Sequence, residues 1–207
     1  MWVSCHVGSA GLPMEHPYRE PEIYVRPCYP YFYDLIKGSL YEDDEQGVTV
    51  SGTPGIGKSV FFAYFLVRYS EMNPGTTVIT IPSGREGKHS VMEKLVVWRG
   101  GKIVGMAKKI KSRMFKLIEK SEREAEKRNE QVIQLYDGAP KVSPKEAKFV
   151  CFTSPAGPSR ADLRCAGENA PEFGPPKIDL KENDKLHFCH LGGRRYCLDE
   201  AEPWTNR

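Results

Sequence analysis

The chain has 207 residues, of which 40% are hydrophobic and 28% are charged, so it is long enough to bury one core of ordinary size. Its 19 glycines and 16 prolines stay below the ~25 to 30% of residues that marks low-complexity disorder. The longest apolar run, residues 60–67, is far shorter than the roughly 20 residues of a membrane-spanning helix, which argues against a membrane partner. A net charge of +3 favours no particular polyanion, so any electrostatic argument depends on local clusters.

The first part of the chain divides into two segments. Residues 1–22 contain three prolines and no sustained apolar period, which predicts a poorly ordered arm without a recognisable secretory leader. Residues 23–36 are rich in aromatic side chains and end in a short amphipathic helix, which we expect Gly38 to terminate. The aromatic run from Tyr29 to Tyr33 is expected to pack the sheet, with stacking on a nucleotide base as the alternative.

Strand-like and helix-like segments alternate through the middle of the chain. The expected strands are residues 47–52, 77–81, 132–137 and 149–153, the expected helices are 58–70 and 106–130, and a hairpin is expected over 95–104. This alternation predicts an α/β fold with a mostly parallel sheet flanked by helices.

A phosphate-binding loop is indicated where the first of these strands runs into the first helix. The pattern G-x-x-x-x-G-K-[ST] is matched by Gly52, Thr53, Pro54, Gly55, Ile56, Gly57, Lys58 and Ser59. The glycines let backbone N–H groups turn towards phosphate oxygens, Lys58 contacts the β- and γ-phosphates, and the Ser59 hydroxyl ligates Mg²⁺. The pattern therefore predicts that the chain binds a nucleoside triphosphate with Mg²⁺, either ATP or GTP, with ATP as the preferred candidate. A chance glycine-rich turn is the alternative.

Asp137 is the candidate acid that completes this metal site. It closes the apolar run 132–136, and P-loop proteins hold Mg²⁺ through a carboxylate at the end of such a strand. The alternative is a solvent-facing turn at Asp137-Gly138. Many P-loop ATPases place a water-orienting Glu directly after this Asp, whereas Gly138 stands here, so we expect nucleotide binding with slow hydrolysis.

Thr153 and Ser154 end the next strand, where a polar side chain can reach the γ-phosphate or the attacking water. The alternative interpretation is the start of a turn, since Pro155 follows. Beyond them, residues 155–176 contain five prolines and three glycines and no apolar period, which predicts a linker.

The segment 106–130 carries nine Lys or Arg residues and five Glu, and its apolar residues recur at helical spacing. Two interpretations stay open. The helix is either a surface that binds nucleic acid or a solvated face held by ordinary ion pairs four residues apart, namely Glu119–Arg123 and Glu124–Arg128.

Five stretches of the chain resemble the P-loop NTPase module of the Crinkler effectors of oomycetes, and are similar also to the trypanosomal retrotransposon hot spot proteins. They are Ile23–Tyr29, Val48–Phe62, Val97–Gly101, Leu135–Gly138 and Val150–Pro155. The resemblance implies an ASCE-type ATPase module, often followed by a nuclease-like domain, in secreted proteins that act in the host cell nucleus. It implies that Lys58 and Ser59 are the Walker A pair, that Asp137 is the Walker B acid, and that Thr153 and Ser154 match the strand end that follows.

The resemblance also frames the domain organisation. We expect a P-loop NTPase domain over residues 23–154, and a remnant of a lid or following segment over 177–207, where Gly192–Leu198 looks like a further family segment. The Leu-x-Leu-Phe-Leu-Ala-Lys type of translocation segment is not visible, and the stretch after Pro155 is short for the family, as in a truncated copy. The alternative function is an interaction or nucleic-acid-binding protein with a vestigial nucleotide site.

Overall fold

The structure is a computed structural model that describes residues 2–4, 22–52, 55–86, 89–92, 94–108, 110–138, 144, 146–153, 186–190 and 195–196. Within these ranges the helices are α1 (Cys28–Tyr41), α2 (Lys58–Met72) and α3 (Lys111–Lys127). The strands are β1 (Trp2–Ser4), β2 (Glu22–Tyr24), β3 (Gly47–Gly52), β4 (Thr77–Glu86), β5 (His89–Met92), β6 (Lys94–Arg99), β7 (Lys102–Lys108), β8 (Val132–Asp137), β9 (Lys148–Phe152), β10 (Leu186–His190) and β11 (Arg195–Tyr196). The predicted linker 155–176 and Ser154 lie outside the described residues.

A mixed sheet forms the centre of the fold, in the order β11-β10-β3-β9-β8-β4-β6-β7, with β5 paired to β4 outside this order. The four central strands, β3, β9, β8 and β4, run parallel. Antiparallel strands extend the sheet on both sides, β6 and β7 beyond β4, and β10 and β11 beyond β3. The expectation of an α/β fold is confirmed, and its parallel part is the centre of the sheet.

Helices cover both faces of the sheet. Helices α1 and α2 pack on one face, and α3 packs on the other. Along β8, Ile133 and Leu135 join the core under α1 and α2, whereas Tyr136 joins the core under α3. Because side chains alternate along a strand, Asp137 lies on the same face as Ile133 and Leu135. The strand therefore directs the Asp137 carboxylate towards α2.

The aromatic residues of α1 pack against α2. Tyr29 and Tyr33 are buried, and their rings lie 4.9 Å from Phe61 and 5.0 Å from Phe65 between centroids. Offset aromatic contacts of this kind stabilise a core beyond the area that they bury. The expected packing role is confirmed for these two tyrosines, whereas Tyr31 is exposed.

Helix α1 does not end at Gly38, so that prediction was wrong. The helix continues to Tyr41, and the carbonyl of Gly38 accepts hydrogen bonds from the N–H groups of Glu42 and Asp43. Leu40 is fully buried, and the gain from burying this side chain favours a further helical turn over a stop at the glycine. None of the helices in the described ranges is long and apolar enough to span a bilayer.

The predicted helix 106–130 is a strand followed by a shorter helix. Residues 102–108 form β7, which pairs with β6 across the expected hairpin, and α3 begins only at Lys111. Met106 and Ile110, which we expected on the packed face of the helix, are exposed. Met114 and Ala125 are buried as expected. The four-residue spacing of Met106 and Ile110 suits a helix, but Met106 lies in β7, which pairs with β6. This pairing is a non-local interaction that local sequence spacing does not show.

The two ends of the chain each contribute short strands. β1, within the predicted arm 1–22, pairs antiparallel with β2, and most other residues of that arm lie outside the described ranges. Within the predicted remnant 177–207, β10 pairs antiparallel with β3 and β11 pairs with β10. The C-terminal region therefore adds two strands to the sheet beside the strand that precedes the glycine-rich loop.

Candidate functional site

The glycine-rich loop connects the end of β3, at Gly52, to the start of α2, at Lys58. Gly55 and Gly57 have φ angles of 84° and 94°, in the left-handed region that side chains other than glycine rarely adopt. Ile56, between them, is buried and joins the core, which anchors the loop. Thr53 and Pro54, the remaining loop residues, lie outside the described ranges.

Lys58 spans the base of the loop. Its side chain is buried, and its Nζ donates a hydrogen bond of 2.8 Å to the carbonyl oxygen of Gly52. Burial lowers the pKa of Lys58, and the charge of Asp137 opposes this shift. The Lys58 ammonium group thus lies at the base of the loop, against the end of β3.

Ser59 and Asp137 are brought together across the sheet edge. The Ser59 hydroxyl, in the first turn of α2, donates a hydrogen bond of 3.0 Å to Oδ1 of Asp137. Asp137 ends β8 and is only 2% exposed, so the alternative of a solvent-facing turn is wrong. The site therefore holds a hydroxyl oxygen and a carboxylate oxygen side by side, next to the Lys58 ammonium.

These two oxygens fit a divalent cation of the Mg²⁺ type. Mg²⁺ prefers hard oxygen ligands and is usually held by one or two protein groups together with phosphate oxygens and water. In the described part of the chain, no group of three or more His, Cys, Asp or Glu side chains is placed to hold a metal. Ser59 and Asp137 would thus hold Mg²⁺ only together with a phosphate ligand, as the sequence motif requires.

The residues that follow Asp137 and β9 occupy the same sheet edge. The N–H of Gly138 donates to the carbonyl of Phe152 at 2.7 Å, and the N–H of Thr153 donates to the carbonyl of Val50 at 3.0 Å. These bonds continue the parallel pairing of β8, β9 and β3 by one residue. Thr153 is half-buried there, and Ser154, its predicted neighbour in the site, lies outside the described ranges.

Two residues that the sequence did not assign to the site lie against the loop. The Tyr29 hydroxyl donates a hydrogen bond of 3.3 Å to the carbonyl oxygen of Gly57. A Cβ atom on Gly57 would lie 3.2 Å from that hydroxyl and 3.6 Å from the guanidinium of Arg26. Burial raises the pKa of Tyr29 to about 12, with Arg26 opposing the shift, so the hydroxyl stays protonated and donates at neutral pH. No spacing rule links Arg26 to the loop, since the contact depends on how α1 packs against α2.

No protein-family model, curated protein or solved structure matches this chain. The function is therefore inferred from the loop motif and from the geometry of Lys58, Ser59 and Asp137.

Proposed function

We propose that the chain is a P-loop domain that binds a nucleoside triphosphate, ATP with Mg²⁺, and hydrolyses it slowly. The observation that carries this proposal is the 3.0 Å hydrogen bond between Ser59 and Asp137. These residues are distant in sequence, and each was expected to ligate the same metal ion. A turn aspartate or a chance glycine-rich segment would have no reason to form this contact.

The loop itself supports binding of the phosphates. Lys58 supplies a positive charge, the glycines at positive φ leave room for backbone N–H groups to face an anion, and α2 starts at the loop. The N-terminus of a helix favours negative charge through its unpaired N–H groups and its dipole. Bound Mg²⁺ would neutralise phosphate charge between Ser59 and Asp137.

The strand order supports the finer assignment to the ASCE type. One strand, β9, separates β3, which leads into the loop, from β8, which ends in Asp137. All three are parallel, so their carboxyl ends meet at one sheet edge, where open α/β sheets bind ligands. We extend the proposal to the role that the Crinkler resemblance implies, a nucleotide-dependent module of an effector that acts in a host nucleus.

Slow hydrolysis is proposed because the position after Asp137 cannot readily supply a water-orienting carboxylate. Gly138 has a φ of 110°, a conformation that a glutamate would adopt only with strain. Gly52, Lys58 and Ser59 act on the bound phosphates in the ground state, whereas a water-orienting group acts mainly in the transition state. The chain is therefore proposed to bind nucleotide although it hydrolyses it slowly.

Thermal melting in the presence of nucleotide tests the proposal. A ligand that binds only the folded state stabilises it by RT ln(1 + [L]/Kd), about 2.7 kcal/mol at 100 times Kd. For a chain of this size we expect a rise in Tm of roughly 5 to 10 °C with Mg²⁺-ATP. Lys58→Ala should abolish the rise, whereas Lys102→Ala, which changes an exposed lysine at the start of β7, should leave it unchanged. No stabilisation by Mg²⁺-ATP or Mg²⁺-GTP would refute nucleotide binding.

A second candidate function, binding of nucleic acid, is favoured by the surface of α3. Lys111, Arg113 and Lys116 are exposed, and within the described ranges no carboxylate forms an ion pair with them. Phe115 is exposed beside them. Cationic side chains around an aromatic ring are the usual means of binding a phosphate backbone and its bases. This surface lies on the opposite face of the sheet from α2, so both functions are compatible.

A further inference from the structure

Arg26 lies beside the phosphate-binding loop although it precedes α1. Its guanidinium Nη2 lies 3.6 Å, and its Cζ 3.7 Å, from the point where a Cβ of Gly57 would be. Val25, before it, is buried, and the carbonyl of Arg26 accepts a hydrogen bond of 3.0 Å from the N–H of Tyr29. The backbone of Arg26 is thus fixed on both sides, and only its side chain extends to the loop.

Arg26 is a second cation near the glycine-rich loop. The side chain is exposed, and in the described part of the chain no carboxylate forms an ion pair with it. Lys58 already places one cation inside the same loop, and Asp137 is the carboxylate that acts on its charge. A nucleoside di- or triphosphate carries enough negative charge to pair with both cations.

Gly57 faces both Tyr29 and Arg26. A side chain on Gly57 would occupy the space between the loop, the Tyr29 hydroxyl and the guanidinium. The Tyr29 hydroxyl also binds the Gly57 carbonyl, which holds α1 and the loop in a fixed relation. Because Gly57 belongs to the glycine-rich loop, the long and exposed Arg26 side chain is near enough to turn towards an anion bound there.

We propose that Arg26 binds the phosphate chain of the nucleotide in cis, as a second cation beside Lys58. The inference rests on the proposed function and specifies its ligand as a nucleoside di- or triphosphate. Arginine suits this role because its planar group donates two parallel hydrogen bonds to phosphate oxygens and stays charged at all accessible pH values. The contact ties the segment before α1 to the phosphates, so bound nucleotide connects β2, α1 and the loop.

The test compares Arg26→Ala and Arg26→Lys with the parent chain by calorimetric titration of Mg²⁺-ATP and of adenosine. Arg26→Ala should weaken ATP binding by about 10-fold or more, the usual effect of losing a charge-assisted hydrogen bond. Arg26→Lys should recover part of the loss, since it keeps the charge without the planar fork. Lys102→Ala, which removes an exposed cation at the start of β7, is the control and should bind as the parent does.

The outcomes separate this inference from the proposed function. If the parent binds ATP and Lys58→Ala does not, but Arg26→Ala binds within 2-fold of the parent, the role of Arg26 is overturned and the proposed function stands. If the parent does not bind ATP at all, both are overturned. An equal loss of adenosine binding in Arg26→Ala would place the arginine on the nucleoside and would also overturn the proposal. Melting of each variant without nucleotide checks that the fold is retained.

Discussion

The Ser59 hydroxyl oxygen lies 3.0 Å from the Asp137 carboxylate oxygen, although the two residues are 78 positions apart in the chain. Ser59 belongs to the first turn of α2, and Asp137 is the last residue of β8. Their contact joins the start of α2 to the end of β8, which lies two places from β3 in the sheet. It also gives the carboxylate a hydrogen-bond partner that an asparagine at position 137 would keep.

Asp137→Asn should weaken the binding of nucleotide with Mg²⁺ and leave metal-free binding nearly unchanged. The amide oxygen can still accept the Ser59 hydrogen bond, so the change removes chiefly the negative charge that holds the cation. We expect at least a 10-fold rise in Kd with Mg²⁺. Titrations with Mg²⁺ and with a chelator measure both values, and equal losses under the two conditions would make Asp137 a structural residue only.

The purified chain should release phosphate from ATP at well below ~1 s⁻¹, the lower end of ordinary enzyme turnover. The reason is that Gly138 stands where a water-orienting glutamate is expected. A steady-state phosphate assay checks the rate. Turnover at ~1 s⁻¹ or faster that is lost in Lys58→Ala would show that another group orients the water.

Gly138→Glu should not restore rapid hydrolysis and should destabilise the fold. With φ at 110°, the new side chain costs about 1 to 3 kcal/mol of backbone strain. Gly138→Ala introduces the same strain without the carboxylate and is the matched control. Denaturant unfolding and the phosphate assay are measured for both variants. A Glu variant as stable as the parent would mean that the backbone at this position relaxes easily.

Glu130 should stabilise the fold above its ordinary pKa and lose this effect in acid. Its carboxylate lies 2.9 Å from Arg128 Nε and 2.5 Å from Arg99 Nη2. Burial raises the pKa of Glu130, but hydrogen bonds from the two arginines outweigh burial, and the net pKa is lowered from the ordinary 4.5. Because the folded-state pKa is depressed, the stabilisation is complete above pH 4.5 and declines as the pH falls through the lower value.

Glu130→Gln is the variant that measures this effect. We expect a loss of about 1 kcal/mol in the free energy of unfolding at neutral pH, and a smaller difference from the parent in acid. Glu126→Gln, an exposed change on α3, should behave as the parent does at both pH values. A constant difference between Glu130→Gln and the parent across the acid range would contradict the lowered pKa.

The α3 surface should bind nucleic acid in a strongly salt-dependent manner if the second candidate function is correct. Reversing the charges at Lys111, Arg113 and Lys116 should flatten the dependence of log Kd on log salt, because fewer counterions are released. Fluorescence anisotropy with labelled DNA and RNA at several salt concentrations measures the slope. Absence of binding by the parent at low salt would leave α3 as a solvated face.

The interpretation of α3 as a solvated face held by ion pairs four residues apart agrees only partly with the ion pairs in the structure. Lys120 pairs with Glu124 at 3.7 Å, and Arg128 pairs with Glu130. The predicted partners of Arg123 and Arg128 were Glu119 and Glu124. Arg123 instead donates to the backbone carbonyl of Glu119. Long exposed side chains choose among nearly equal partners, so sequence spacing does not determine the pairs.

The central part of the site could be predicted because its signals are local. The loop glycines, Lys58 and Ser59 follow one another in the chain, and the apolar run before Asp137 identified β8 with its observed bounds. Parallel strands place their ends at one edge, so the meeting of Ser59 and Asp137 followed from the fold class. Arg26 was not predictable, since its position depends on the packing of α1 against α2.

The elements that differed from prediction depend on non-local pairing. Residues 106–108 belong to β7 because β6 offers them hydrogen-bond partners, although their apolar spacing also suits a helix. The pairing of β10 with β3 had no local signal, because a proline-rich stretch separates it from the rest of the sheet. Sequence patterns show which face of a strand or helix is apolar, whereas the strands that pair with it depend on the packing of the whole fold.

The position of β3 in the sheet has a consequence for the order of folding. This strand leaves the ribosome before both of its partners, β9 on one side and β10 on the other. Until residues 148–152 and 186–190 are synthesised, β3 has no strand beside it, and the loop that follows has no fixed base. The glycine-rich loop is therefore expected to be among the last parts of the domain to reach its final shape, and the nascent chain exposes an unpaired strand edge to chaperones in the meantime.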